Sequence, residues 1–347
     1  MQLSRLHLSN FRSYTNNEFS FDQRLTAIVG PNGSGKTNIL EAIYTICMGK
    51  SFRDGDEELI RYEADWWKIQ AEVDSAAREV RYQPSDKGKQ LLIDGASKGR
   101  FTYRHQLPVV LFEPDDLYML HGSPTLRRKY IDDMAQKLFP SYRQTFQRYE
   151  RVVTQRNNLL KQKQPLAQLK DNIFVWDVSL AELGAKLIAA RIELINLLNG
   201  SVSGIYSTVA GSRQDLRVEY VAPARQRSES ELLAALHARL HDDLVRGFTT
   251  IGPHRHDIDF ILNGQSAKHS ASRGEVRSII LSLKSLETQL LSNARGEMPL
   301  FLLDDVFSEL DESRQKHVLD YGNCQTILTT THVNQAKQKI PKIISLP

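Results

Sequence analysis

Eight consecutive residues, Gly30-Pro31-Asn32-Gly33-Ser34-Gly35-Lys36-Thr37, have the composition and spacing needed to hold a nucleoside triphosphate. Glycines let backbone N–H groups approach phosphate oxygens, and a helix N-terminus behind them favours anions. Lys36 is then placed to reach the β- and γ-phosphates, and the Thr37 hydroxyl to bind Mg²⁺. Far downstream, the apolar run Leu300-Phe301-Leu302-Leu303 delivers two carboxylates, Asp304 and Asp305, at its end. Behind a phosphate loop, Asp304 is expected to hold magnesium, often through water. Asp305 either polarises an attacking water or supports Asp304 without touching it.

Such groups need a strand, a glycine loop and a helix in that order, and the sequence supplies it. Thr26 to Val29 reads as a short buried strand, and Asn38-Ile39-Leu40-Glu41-Ala42-Ile43 as the helix. Lys68 to Val73, Glu79 to Gln83 and Gln90 to Ile93 add strands, the last entering a turn at Asp94-Gly95. From about Pro124 to His241 the pattern changes to long helices. Phe139, Tyr142, Phe146, Tyr149, Val153 and Leu160 recur every three or four residues, and Leu180, Leu183, Leu187, Leu194 and Leu197 do the same. With Pro140 starting the first helix and the polar Lys161 to Pro165 between the series, this predicts an antiparallel helical hairpin with a coiled-coil-like seam about five turns long. Strand signals return with Asp257 to Leu262, Leu300 to Leu303 and Thr326 to Thr329. The expected architecture is an α/β head, residues 1–122 and 248–347, split around a helical lobe at 123–247.

Three short motifs gain meaning from their order. Ser272-Arg273-Gly274-Glu275 opens a helix, Ser308-Glu309-Leu310-Asp311 follows the Asp pair, and Thr331-His332 ends the last apolar strand. Singly they read as a capping box, a solvated turn and a surface histidine. Behind a phosphate loop their order resembles that of the ABC-type ATPases. The likeness makes Ser272 to Glu275 the signature, Ser308 to Asp311 the D-loop and His332 the switch histidine, catalytic together with Asp305. A serine hydroxyl, a glycine amide and a helix N-terminus make a second phosphate-binding surface that one chain does not fold onto its own loop. Two copies must meet head to tail, with ATP stabilising the dimer by mass action.

Further stretches narrow the resemblance: Leu8-Ser9-Asn10-Phe11-Arg12-Ser13-Tyr14, Lys50-Ser51-Phe52-Arg53, Phe112-Glu113-Pro114-Asp115-Asp116-Leu117, Gly122-Ser123-Pro124 with Arg127-Arg128, and Gly252-Pro253-His254-Arg255. With the two phosphate-site segments they run nearly end to end, and the chain resembles the RecF family of bacterial SMC-related ATPases. That likeness implies an ABC-type head of mixed sheet around the phosphate loop, with ATP and Mg²⁺ as cofactors. It implies a weak, DNA-stimulated ATPase of recombinational repair and replication-fork maintenance, in the setting of DNA damage and the SOS response. It also implies DNA as partner, double-stranded or with single-stranded gaps, an ATP-dependent homodimer, and the mediators RecR and RecO. Arg12 lies where SMC-like families place a phosphate-contacting arginine; the plain alternative is a surface arginine in a β-turn. Three positions depart from the pattern. Glu275 stands where glutamine is usual, His256 where an acidic or small residue is usual, and His332 where a small one often is, which bears on hydrolysis rate rather than fold.

For DNA, the helical lobe carries Arg127, Arg128 and Lys129, with Arg143, Arg148, Arg151, Arg156, Lys161 and Lys163 beyond. These could neutralise phosphates without sequence preference, or form an ordinary solvated helix face. A net charge of +4 on 347 residues is compatible with a polyanion but does not argue for one. Cys47 and Cys324 lack ligand-spaced neighbours, so neither a zinc site nor a disulfide framework is supported, and a reducing compartment fits. No signal segment and no run of about 18 apolar residues is present, so a cytoplasmic, nucleoid-associated protein with no membrane partner is expected. A transporter subunit fits less well, since roughly 235 residues separate Thr37 from Ser272, about twice the expectation for that class. Another short-armed SMC-like ATPase, for instance one acting against foreign DNA, is the nearest alternative.

Overall fold

A computed structural model of the chain describes residues 1–86, 88–99, 101–162, 166–305, 310–319, 324–331 and 340–347, leaving aside the side chains of 166–171 and 317–319. It divides into two compact units, one of residues 1–117 and 277–347, the other of residues 118–276.

The first unit is built on two sheets. Strands β1 (Leu3–Phe11) and β2 (Tyr14–Ser20) form a hairpin, followed by β3 (Leu25–Val29) and helix α1 (Lys36–Met48). Strands β4 (Trp67–Val73), β5 (Ala76–Gln83), β6 (Gly88–Ile93) and β7 (Ala96–Lys98) continue the antiparallel sheet, in the order β2-β1-β4-β5-β6-β7. Residues of β4 alternate strictly between buried and half-buried, as a strand with one face on the core must. By contrast, β8 (Val109–Phe112) is buried along its whole length. It belongs to a parallel sheet that sequence order disguises.

The second unit begins with helices α2 (Pro124–Leu138), α3 (Tyr142–Leu160), α4 (Leu166–Asn199) and α5 (Val202–Ala210). Strand β9 (Leu216–Val221) follows, then α6 (Glu229–Arg246), β10 (Asp257–Leu262), β11 (Gln265–Ser266) and the short α7 (Ala267–Ser270). Helix α8 (Arg273–Arg295) leads back into the first unit, where β12 (Leu300–Leu303), α9 (Glu312–Leu319), β13 (Thr326–Thr330) and β14 (Lys342–Ser345) complete it. These strands and β3 make the five-stranded parallel sheet β14-β3-β13-β12-β8. Continuous apolar runs such as Leu300–Leu303 are what a sheet covered on both faces requires. Helix α1 contacts strands of both sheets and buries eleven of its thirteen residues, so its sequence is apolar nearly all round. Leu6, Ile43, Trp67, Leu302 and Ile327 meet in one core.

Three local expectations are modified. The helical stretch is broken by β9, where Leu216 and Val218 are buried and Arg217 and Glu219 exposed, a period of two that pairs with β10. Because of that pairing, residues 248–276 lie in the second compact unit, whereas the sequence placed the return to the head at 248. Pro140 does not open a helix: α2 begins with Pro124 in its first turn, and Ser141 precedes α3. In the seam, Tyr142, Tyr149, Leu160, Leu180, Leu183, Leu187 and Leu194 are buried, but Leu197 is 44% exposed. Arg156 and Arg191 are buried there too, Arg156 against Asp177 at 2.6 Å and Asp243 at 2.6 Å, and Arg191 against Asp132 at 2.7 Å. The hairpin core is thus partly ionic.

Candidate nucleotide site

Parallel strands present their carboxyl ends at one edge of a sheet, where ligands of open α/β folds bind. The end of β3 opens into Gly30, whose amide meets the Thr330 carbonyl of β13 at 3.4 Å. Gly35 caps α1 with φ +92°, a left-handed backbone that a side chain strains. A Cβ there would also stand 2.8 Å from the Tyr14 hydroxyl and 2.9 Å from Ser13 Oγ. Both come from the β1–β2 turn, which is tied to the loop by Tyr14 Oη donating to the Gly35 carbonyl (3.1 Å) and Asn38 Nδ2 donating to Ser13 Oγ (3.0 Å).

Within the loop, buried Lys36 directs Nζ across it to the carbonyls of Gly30 (2.8 Å) and Pro31 (2.9 Å). Ser34 Oγ is buried without a hydrogen-bond partner among the described residues. A buried hydroxyl left unpaired costs free energy, and a phosphate oxygen is the acceptor this loop is shaped to receive. Thr37 Oγ1 donates to Asp304 Oδ1 at 2.9 Å. Two ligands on adjacent corners of an octahedron with Mg–O near 2.05 Å stand about 2.9 Å apart, so this pair matches one edge of a magnesium shell. Thr329 Oγ1 also donates to Asp304 Oδ1 (2.9 Å) and accepts from the Asp305 amide (2.8 Å), aligning the two acids. Asp305 itself has φ +51° and is half-buried.

The site therefore brings Gly30 to Thr37 together with Asp304, with Asp305 beside it on Thr329. Four residues at the site went unread in sequence. Thr329 is a β13 threonine with nothing to set it apart from its neighbours. Arg53 lies 251 residues from Asp304 yet stands with Nη2 3.4 Å from Asp304 Oδ2. Ser51 and Glu41 hold the segment that carries it. Lys50 to Arg53 stood out only as part of a likeness, without a role.

Arg12 is held by partners within the protein. Its guanidinium donates from Nε to Glu41 Oε2 (2.8 Å), from Nη2 to Glu41 Oε1 (2.8 Å) and from Nη1 to the Glu58 carbonyl (2.8 Å), and it pairs with Asp54. The Glu41 hydrogen bonds hold its pKa above the ordinary arginine value. Arg12 is thus no free turn arginine but a strut between the β1–β2 turn and α1.

The signature residues lie in the second unit. Ser272 and Arg273 are exposed, Gly274 and Glu275 partly so. Ser272 and Glu275 form a reciprocal cap: Glu275 Oε2 accepts from the Ser272 amide (2.8 Å) and hydroxyl (2.7 Å), and the Glu275 amide donates to Ser272 Oγ (3.3 Å). Of the D-loop, Asp311 caps α9 by accepting from the Arg314 amide at 2.9 Å, while Ser308 and His332 lie outside the described residues.

The basic candidates separate sharply. Arg127 is 1% exposed, donating to both oxygens of Asp257 (2.9 and 2.8 Å) and to the carbonyls of Gly122 (2.7 Å) and Leu120 (3.0 Å). It holds the second unit together and cannot meet a DNA phosphate, which corrects its assignment. Arg156 is corrected for the same reason. Arg128 is half-buried and donates to the His256 carbonyl (2.7 Å) and Thr125 Oγ1 (3.0 Å). Lys129 is exposed, with Asp133 at 3.3 Å, and Lys163 lies outside the described residues. His256 is a core residue here and His254 a half-buried one, hydrogen-bonded to Tyr220 Oη (2.7 Å) and Tyr149 Oη (2.7 Å) respectively. Burial pushes their pKa values down to about 3 and about 4.

Comparison with known proteins agrees with this geometry. Residues 2–346 match the family model for the RecF/RecN/SMC N terminal domain. The DNA replication and repair protein RecF of Bacillus cereus (strain B4264) is 34% identical over 349 residues, covering 96% of this chain and 93% of the relative. RecF of Bacillus mycoides (strain KBAB4) is also 34% identical, over 96% and 92%. A solved structure of the recombination mediator protein RecF with ATPrS superposes with a TM-score of 0.86 at 28% identity, covering 96% of this chain and 93% of that one. The Smc head bound to the C-terminal winged-helix domain of ScpA, at 17% identity and TM-score 0.56 over 99% and 94%, shares the fold. A phosphate loop, an aligned acid pair and end-to-end likeness thus coincide, and the chain belongs to the RecF family of SMC-related, ABC-type ATPases.

Proposed function

We propose that this chain is an ATP-dependent, DNA-binding protein of recombinational repair and replication-fork maintenance, which closes head to tail with a second copy on DNA and hydrolyses ATP slowly. The observation that carries the reading is the Thr37–Asp304 pair at the mouth of the Gly30 loop, backed by Thr329 and by the Arg53 cation. In this reading the loop amides, Lys36 and Ser34 hold the triphosphate, and Thr37 and Asp304 hold Mg²⁺, which neutralises charge on the β- and γ-phosphates. Asp305 orients the water that attacks the γ-phosphorus, giving ADP and phosphate.

The second half of the site comes from the partner copy, through Ser272, Arg273, Gly274 and Glu275, while the D-loop residues Ser308 and Asp311 follow the acid pair and the switch residue His332 acts with Asp305. An exposed helix start with a hydroxyl at its cap supports that role. DNA is held without sequence preference on the second unit, Lys129 and Arg128 being its candidates among residues 127–129. A relative described as a recombination mediator in the RecFOR pathway supports RecR and RecO as partners, with loading of recombinase at gaps as the outcome. Among the described residues no helix is long and apolar enough to cross a membrane, in keeping with a cytoplasmic, nucleoid-associated role.

The test is the mass in solution of Asp305→Asn protein alone, with MgATP, and with MgATP and double-stranded DNA. A doubling of mass with nucleotide is expected. A chain that remains monomeric with ATP and DNA bound refutes the shared site.

A further inference from the structure

Glu41 is fully buried on α1, one turn after Thr37 and therefore on the same side of the helix. A carboxylate so placed persists only if paired and hydrogen-bonded. Its oxygens accept from Arg12 Nε and Nη2, both at 2.8 Å, and from Ser51 Oγ at 2.6 Å. Ser51 Oγ in turn accepts from the amides of Arg53 (2.9 Å) and Asp54 (3.2 Å), winding residues 51–54 around one hydroxyl. Asp54 closes the ring on Arg12. The segment leaves Arg53 over the Phe52 ring, 5.5 Å from its centroid, with Nη2 3.4 Å from Asp304 Oδ2. Arg53 is 43% exposed at its side chain, so contacts of its own scarcely fix it. Its backbone is fixed from Glu41.

We propose that Glu41 is a positioning residue of the ATP site: its carboxylate gathers Arg12 and Ser51 onto the helix that carries Lys36 and Thr37, and through Ser51 sets Arg53 against Asp304. The proposal rests on the ATPase reading above and deepens it. One buried acid would then keep the metal-binding edge and its neighbouring cation in register, where a displacement of about 1 Å can cost about 100-fold in rate.

The experiment is a double-mutant cycle of Glu41→Gln and Arg53→Ala, read as hydrolysis rate at saturating MgATP, MgATP affinity and melting temperature. Glu41→Gln keeps the side chain's shape but cannot accept from both Arg12 nitrogens and Ser51 at once. Expected is a loss of at least about tenfold in rate, about threefold or less in affinity, and less than about twofold further loss when Glu41→Gln is added to Arg53→Ala. Effects that multiply in the double variant, or an affinity loss matching that of Lys36→Ala, overturn the proposal. If Glu41→Gln does not fold, Ser51→Ala cuts the same link from the half-buried side and must show the same coupling to Arg53. A wild type no faster than Lys36→Ala refutes the ATPase reading instead. The cycle read in MgATP affinity then still decides on Glu41, since coupling supports the positioning role and independent effects overturn it.

Discussion

Replacing Arg127 by alanine should damage stability while leaving the electrostatics of DNA binding alone. The side chain is 1% exposed, paired at both ends with Asp257 and bonded to the carbonyls of Gly122 and Leu120. Removing one partner of a buried pair costs about 3–5 kcal/mol, because the other charge is stranded. For a unit of the size of residues 118–276, each kcal/mol shifts the midpoint by about 2–4 °C, so a loss of about 6–20 °C is expected in a calorimetric scan. Asp257→Ala combined with Arg127→Ala should recover part of it, as the stranded carboxylate is gone. Titrating duplex DNA at several salt concentrations completes the assay. Lys129→Ala, which removes an exposed charge, should flatten the slope of log K against log salt by about 0.9, whereas Arg127→Ala should not change it. A melting temperature within about 1 °C of wild type together with a slope reduced by about 0.9 would refute the reasoning.

Two further outcomes are expected. His254 and His256 hold pKa values of about 3 and about 4 when folded and near 6.5 when unfolded, so the unfolded chain takes up protons first as pH falls. Their contribution is intact above about pH 6.5 and declines below it, by about 2 kcal/mol each at pH 5. Urea midpoints at pH 7.5 and 5 should show His256→Gln losing about 2 kcal/mol less than wild type over that interval, and an equal loss counts against the burial argument. Thr37→Val removes the hydroxyl paired with Asp304 but keeps the helix; calorimetry should find that Mg²⁺ no longer tightens ATP binding, with the metal-free affinity within about threefold of wild type.

Chemistry confined to a contiguous segment was legible in the sequence. Gly30 to Thr37 needs only its neighbours to become a phosphate loop, and Asp304 only an apolar strand before it. What depended on which side of a helix faces inward was not. Arg127, Arg128 and Lys129 are equivalent as letters, yet successive residues on a helix point about 100° apart, so one is core, one half-buried and one exposed. Strand β9 was hidden within a helical region because a six-residue alternation is short beside the heptad-like series around it. Arg53 and Thr329 join the site by long-range packing, over 251 residues and across the sheet, for which no local pattern stands. Arg12 was noticed for its place but not for its partner, because the acid that holds it comes from α1 and not from the turn.

The place of β3 in the parallel sheet also sets an order of events at the ribosome. Its two hydrogen-bonded neighbours are β13 and β14, drawn from residues 326–345. The strand that leads into the phosphate loop is therefore made early and stays without a lateral partner until some 300 further residues have been added, about 15–60 s at ordinary bacterial rates of elongation. Residues 118–276 emerge complete within that interval. Nucleotide capture thus becomes a property of the finished chain alone, and nascent fragments carrying an intact Gly30 to Thr37 segment should not compete for ATP.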